Sequence, residues 1–383
     1  MLYFLQDSSL HVPGEGSAKA EAACQRGVCT PMRSSCANNF QLYFSKSMVS
    51  LNKNANVCFR KKITSLPRCP MPKKTYEPVR TKHTLNKVKA ERMPFDWSIN
   101  PYRGCAHGCS FCYARQFQSF IGMGAEDEFQ NHILLKMNAA EALEAQLASM
   151  ARRMGCRPEN AGPRIGAVAI GTATDPYQPI EGKAGITRAC LKVLAKYRVP
   201  TTITTRSPLI LRDADLLAEM HVTSVNISIN TTDAGLTRKL EPAAPPPARR
   251  LATVRELAER GIRAGVFIAP ILPYLTDSEE SLEALVAAAQ EHRAAFAMAS
   301  VLRLSSDVKP WFFHTLNTYF PQLVGPYAKL YRSAYADHEY IESRQRLARR
   351  LLVKYGLAAD VPQAPKQPPA SYCPEPVQLA FEF

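Results

Sequence analysis

Three cysteines fall within eight residues, at Cys105, Cys109 and Cys112, in the run Asn100-Pro101-Tyr102-Arg103-Gly104-Cys105-Ala106-His107-Gly108-Cys109-Ser110-Phe111-Cys112-Tyr113. The spacing is C-x3-C-x2-C. With Gly104 and Gly108 to turn the chain tightly, such a loop can fold round a compact inorganic object and aim three sulfurs at it. Three thiolates fall one short of the four protein ligands of a structural zinc site. They suit a 4Fe-4S cluster, holding three irons and leaving the fourth open. His107 would be a strained fourth zinc ligand, because four ligands would lie so close in sequence. A place beside the cluster or facing solvent suits it better, and no role is assigned to it. The usual ferredoxin run, C-x2-C-x2-C with a fourth cysteine, has a different spacing.

Such a loop needs elements to position it. From about residue 96 onward, short β-branched or apolar runs alternate with helical patterns. Strands are expected at Ile165–Ile170, Thr201–Thr205, Val222–Ile229, Ala264–Ile271 and Ala297–Leu304, and one more before Cys105 makes six. Helices are expected at Ala139–Met154, Gly185–Tyr197, Asp213–Met220 and Ala248–Arg260. Another should be capped by Asp277 or Ser278, with Glu280 as capping-box partner, and run through Ala289. The order is βαβ, which implies an α/β fold with a parallel sheet and right-handed crossovers. Chemistry in such folds sits at the C-terminal ends of the strands. Polar residues fall there: Thr172, Thr174 and Asp175 after the second strand, Arg206 after the third, and Ser228 and Asn230 at the end of the fourth. Tyr327–Tyr355 reads as a long helical stretch packed outside, and Trp311, Phe312 and Phe313 as part of a helix buried against the sheet.

Composition narrows the classes. The chain has 383 residues, a hydrophobic fraction of 46% and a net charge of +15, enough apolar content for a substantial core. No run approaches the roughly 18 apolar residues of a membrane span. The N-terminal segment lacks the pattern of a secretory signal, so a cytoplasmic protein without a disulfide framework is expected. Residues 1–95 hold 16 Lys and Arg against 5 Asp and Glu, a net of +11; residues 96–383 hold 32 against 28, a net of +4. The basic excess therefore lies mostly in residues 1–74, which show no helical or strand period and read as a disordered leader. Its cysteines, Cys24, Cys29, Cys36, Cys58 and Cys69, lack the paired C-x2-C grips of zinc modules. The expected organisation is a leader over 1–74, a core over 75–310, a helical extension over 311–358 and a Pro-rich, extended tail over 359–383.

The three-cysteine run after a first strand resembles the radical S-adenosylmethionine (radical SAM) superfamily, over roughly residues 95–310. Within it the sequence is similar to the spore photoproduct lyase-like group, through Asn100–Arg115, Gly171–Glu181 (GTATDPYQPIE), Val225–Asn230 (VNISIN), Leu240–Pro242 (LEP) and Ile268–Ile271 (IAPI). The resemblance implies a partial (β/α)6 barrel of the TIM type. It implies Cys105, Cys109 and Cys112 as iron ligands of the 4Fe-4S cluster, and S-adenosyl-L-methionine bound through its amino and carboxylate groups to the open iron. One electron from an external reductant, of the flavodoxin or ferredoxin type, would cleave the C5′–S bond. The products are methionine and a 5′-deoxyadenosyl radical, which takes a hydrogen atom from the substrate. By position, Phe111 lies near the adenine, and Thr172, Ala173, Thr174 and Asp175 face the methionine part. Arg206, Ser228 and Asn230 match cofactor-binding positions, Arg206 first, because a guanidinium grips a carboxylate bidentately. Ala269, in Ile268–Ile271, helps to shape the adenine pocket. Tyr113 matches an aromatic residue of the lyases' hydrogen-transfer chain.

The sequence departs from that group at one point. The lyases place a hydrogen-donating cysteine where this chain has Thr172, whose O–H bond is too strong for the task. Repair of a thymine-dimer-type lesion is thereby put in doubt, while the initiating chemistry is unaffected. The substrate stays open, with DNA or RNA one class and a small molecule or peptide another. A non-catalytic iron–sulfur or zinc protein that binds nucleic acid is the alternative. It rests on the net charge and on Arg344, Arg346, Arg349 and Arg350, a face that could meet phosphates or simply be solvated.

Overall fold

The structure is a computed structural model that describes residues 74–90 and 93–359. Expectations for the leader, its five cysteines and the Pro-rich tail lie outside the described residues, apart from the segment ends.

The strands are β1 Thr75–Val79, β2 Leu85–Lys87, β3 Trp97–Ile99, β4 Tyr102–Arg103, β5 His132–Lys136, β6 Val168–Ile170, β7 Thr201–Thr205, β8 Val222–Ser228, β9 Ala264–Ile271 and β10 Ala297–Val301. The main sheet runs β10-β9-β8-β7-β6-β3-β2. Its pairs from β3 through β10 are all parallel, and β2 is added antiparallel to β3 at the edge. The six parallel strands with intervening helices are the expected partial barrel. A smaller sheet, β1-β5-β4, flanks the cysteine loop. It was not expected, because its strands are two to five residues long and carry no clear alternation.

Each barrel strand alternates between two environments. Ile99, Val168, Ile170, Ile203, Val225, Ile227, Val266 and Ile268 belong to the main core, together with Leu143, Leu191, Leu194, Val254, Leu257 and Leu285 of the surrounding helices. Burial of each such side chain contributes on the order of 2 kcal/mol, which makes this outer layer the principal adhesive of the barrel. The residues between them face the lumen.

The helices agree with the sequence within a residue or two: Ala139–Arg153, Ile186–Lys196, Ala214–Glu219, Pro247–Glu259 and Glu279–Glu291. Four details differ. Ile165 closes a helix, Pro158–Ile165, rather than opening a strand, since Pro158 at a first-turn position starts a helix. The cap of Glu279–Glu291 is Ser278, whose hydroxyl accepts from the Ser281 N–H at 3.2 Å, while Asp277 accepts from the Tyr340 hydroxyl instead. Tyr327–Tyr355 is broken into Val324–Leu330 and His338–Lys354. Tyr331 ends the first helix by turning inward to donate to Leu302 O at 2.9 Å, and Asp337 caps the second by accepting from Glu339 N. The expected strand end at Leu304 stops at Val301.

The last helix packs outside, as expected. Leu351 and Leu352 join the main core, and Arg350 and Lys354 pair with Glu279 and Glu283 of the neighbouring helix. Arg346 pairs with Glu342, and Arg344 donates to Asp277 O at 2.9 Å. Arg346, Arg349 and Arg350 stay exposed on this face, whereas Arg344 is half-buried. Among the described residues, no helix is long and apolar enough to cross a membrane.

Candidate active site

The cysteine loop leaves β3 and β4 at the C-terminal end of the barrel and is held from every side. Cys105 N–H donates to Phe129 O at 2.9 Å, Ser110 N–H to Leu240 O at 2.9 Å, and Ala243 N–H to His107 O at 3.2 Å. Gly104 and Gly108 have φ of +79° and +69°. A Cβ at Gly104 would meet the His132 carbonyl at 2.8 Å, and one at Gly108 would meet Gln130 Oε1 at 2.9 Å. Gly104 therefore requires glycine for conformation and for space, and Gly108 for conformation.

Cys105 and Cys109 are buried and Cys112 is half-buried; none is in a disulfide. Burial pushes the Cys105 thiol up to about 12, with the nearby Asp175 and Cys112 adding to it, and Cys109 is raised likewise. Thiols so placed become thiolates when a metal stabilises them. The backbone N–H groups of His107 and Asp175 point at the Cys105 sulfur, and Lys74, Arg115 and Arg206 supply positive charge around the three. Among the described residues, no three His, Cys, Asp or Glu side chains converge as a single metal ion would require. Three thiolates that each meet a different iron need no common point, so the donor set fits a three-cysteine iron–sulfur cluster.

The segment after β6 is tied to this loop more than it is offered to a ligand. Asp175 is buried. Its Oδ1 accepts from Thr205 Oγ1 at 2.6 Å and Tyr177 N at 2.9 Å, and its Oδ2 accepts from Arg206 N at 2.8 Å. His107 Nε2 lies 3.2 Å from Oδ2. Burial works to raise the Asp175 carboxyl, but His107 and these hydrogen bonds bring it down to about 2. Thr174 Oγ1 donates to Gly104 O at 2.6 Å. Thr172 Oγ1 accepts from Asn100 Nδ2 at 3.0 Å, and Ala173 N–H donates to Asn100 Oδ1 at 2.8 Å. Tyr113 donates its hydroxyl to the Thr172 carbonyl. Tyr113 and Ala173 pack with Cys105 and Cys112, whereas Phe111 is buried with Cys109, Leu240, Leu272 and Leu302.

Arg206 stands beside the cysteines. Burial opposes its charge, yet the Cys109 sulfur, Glu241 and the Cys112 sulfur favour the protonated form. Its Nε lies 3.5 Å from Glu241 and has no hydrogen-bond partner. Glu241 is anchored from behind by the fully buried Arg250, which also donates to Ser228 O at 3.0 Å and Pro245 O at 2.7 Å.

The lumen is lined by small polar side chains from β8 and by a mixture of polar and apolar ones from its neighbours. Ser224, Asn226, Ser228 and Asn230 form one inward row, and Ser224 Oγ, Asn226 Oδ1 and Asn230 Nδ2 are buried without a hydrogen-bond partner. Thr202, Thr204, Phe267, Ala269, Met298 and Ser300 face the same space and stay half-buried although their strands are covered outside by helices. A closed TIM barrel fills this space with bulky side chains. This one instead carries a buried row of Ser and Asn on β8 and the residues after it, with unpartnered polar atoms that a polar cofactor could satisfy.

Several members of the site carried no signal in the sequence. Arg115 is three residues past the last cysteine, Gln178 holds Ala106 N–H at 2.9 Å, and Arg250 reaches Glu241 from the next helix. His107, given no role from sequence, is buried and paired with Asp175.

The comparisons with known proteins agree with this architecture. The profile of the radical SAM superfamily matches residues 99–286. An uncharacterized protein of Mycobacterium tuberculosis (strain ATCC 25618 / H37Rv) is 34% identical over 305 residues, covering 78% of this chain and 86% of its own length. An uncharacterized protein of Methanocaldococcus jannaschii is 28% identical over 201 residues, 52% of this chain and 69% of its own. Among solved structures, spore photoproduct lyase complexed with dinucleoside spore photoproduct superposes with a TM-score of 0.54 at 17% identity, covering 74% of this chain and 80% of that one. A double mutant of that lyase, with bound AdoMet and dinucleoside spore photoproduct, gives 0.52 at 16% identity, with the same coverage. The chain belongs to the radical SAM superfamily, and its fold is that of spore photoproduct lyase.

Proposed function

We propose that this protein is a radical SAM enzyme that cleaves S-adenosyl-L-methionine reductively and uses the resulting radical on an organic substrate. One observation carries the reading: three cysteines, two of them buried, sit on a glycine-turned loop with Arg206 beside them and the polar strand-end residues Ser228 and Asn230 nearby. Cys105, Cys109 and Cys112 would hold a 4Fe-4S cluster. When bound, cluster and cofactor together supply a 5′-deoxyadenosyl radical. The protein's part is to bind, orient and exclude water. Arg206 would present a charged fork for a carboxylate, Asn230 Nδ2 and Asn226 Oδ1 have no hydrogen-bond partner of their own, and Ala269 leaves room. Tyr113, whose hydroxyl donates to Thr172 O, is the residue this reading assigns to hydrogen transfer with the substrate radical.

A nucleic-acid-derived substrate is the first class to assay, because the solved neighbours include a complex with a dinucleoside photoproduct. Thr172 in place of a cysteine argues for a different ending to the reaction from a thiol-quenched repair. An external one-electron donor of the flavodoxin or ferredoxin type completes the scheme. The test is anaerobic reconstitution with iron and sulfide, then dithionite and S-adenosyl-L-methionine. Release of 5′-deoxyadenosine is expected, and a well-formed cluster that releases none would end the proposal.

A further inference from the structure

Arg115 is among the largest side chains with no exposure to solvent. Its guanidinium spends its donors on the cysteine loop and the segment beneath it. Nε donates to Cys109 O at 2.9 Å and Nη2 to Gly108 O at 3.2 Å and Gln130 Oε1 at 2.8 Å. Nη1 donates to Ala125 O at 3.0 Å and Glu126 O at 2.7 Å. The plane lies between two rings, with the Phe129 and Trp311 centroids each 5.0 Å away. Among the described residues no carboxylate forms an ion pair with it; its acceptors are four carbonyls and one amide. A buried charge satisfied by neutral dipoles keeps its field, which acts on the Cys112, Cys109 and Cys105 sulfurs and, less strongly, on Asp127. Lysine could not copy the arrangement, since a point ammonium has neither the planar fork nor the stacking faces.

We propose that Arg115 is a positioning residue for the iron–sulfur cluster: it fixes the Gly108–Cys109 turn through two carbonyls, and it sets a positive charge beneath the three thiolates that favours the reduced, more negative state. This rests on the cluster reading above. It also gives Trp311 a purpose, as the ring through which the C-terminal extension covers that charge.

The experiment compares wild type with Arg115→Met, Arg115→Lys and Gln130→Glu after anaerobic reconstitution, with midpoint potentials taken from a dithionite titration followed by EPR. In Arg115→Met the ratio of reduced to oxidised cluster at a fixed ambient potential should fall about tenfold, equivalent to about 59 mV for one electron. Arg115→Lys should keep most of the potential. Hydrogen exchange on its metal-free form should nevertheless show lost protection over residues 105–112, because charge is retained but the fork is not. Gln130→Glu sets a carboxylate against Nη2 in nearly the same shape, so it should lower the potential in the same direction even if Arg115→Met fails to fold. Potentials equal to wild type in Gln130→Glu and in any folded Arg115→Met overturn the electrostatic role, and unchanged exchange in Arg115→Lys overturns the positioning role. Failure of wild type itself to take up a cluster would refute the functional reading instead, and the metal-free exchange comparison would still decide the positioning role.

Discussion

His107 Nε2 lies 3.2 Å from Asp175 Oδ2, which joins the cysteine loop to the segment following β6 across some seventy residues of sequence. Both side chains are buried, and Asp175 also receives Thr205 Oγ1 and Arg206 N–H from the next strand end. One carboxylate therefore ties the ends of β6 and β7 to the loop.

This tie has a pH signature in the metal-free chain. The Asp175 carboxyl is depressed to about 2, so its stabilisation is complete above the ordinary aspartate range and is lost as pH falls toward 2. The shift corresponds to about 2 kcal/mol. Denaturant unfolding of wild type and Asp175→Asn should differ most at pH 7 and progressively less at pH 4 and 3. A gap that stays constant over that range would refute the linkage.

Cys105→Ala, Cys109→Ala and Cys112→Ala should each reduce bound iron after reconstitution to a small fraction of wild type. Cys156→Ser should leave it unchanged, because Cys156 packs against the outer core. Iron and sulfide analysis with absorbance is sufficient. Equal loss in Cys156→Ser would mean that the cluster is not where the loop places it.

Arg206→Met should weaken S-adenosyl-L-methionine binding by roughly 10- to 100-fold, the size of one charge-assisted hydrogen-bond pair. Arg206→Lys should recover only part of this. Titration of the cluster EPR spectrum with cofactor reads the affinity, and wild-type affinity in Arg206→Met would exclude contact.

The lumen offers a paired test. Ser224→Ala removes a buried hydroxyl with no partner and should stabilise the fold slightly, by about 1 kcal/mol, with cofactor affinity unchanged. Ala269→Leu should instead fill the space beside β9, keeping the thermal midpoint within a few degrees while lowering cofactor affinity at least tenfold. Unimpaired binding in Ala269→Leu would place the cofactor elsewhere.

By itself the sequence determined the alternation of strands and helices, the parallel sheet that this implies and the three-cysteine loop. Those depend on local pattern: Val222–Ser228 alternates with the period of a strand, Ile186–Lys196 repeats its apolar residues at helical spacing, and C-x3-C-x2-C needs only one turn of chain to bring its sulfurs near each other. The tertiary structure decided what surrounds the loop. Asp175 faces into a hydrogen-bond network rather than outward, because Thr205 and Arg206 arrive from a different strand. Glu241 matters because Arg250 lies behind it, and Arg115 because Trp311 closes over it from nearly two hundred residues away. Such roles are set by which charges are buried together, and burial is a property of the packed chain that no local spacing encodes.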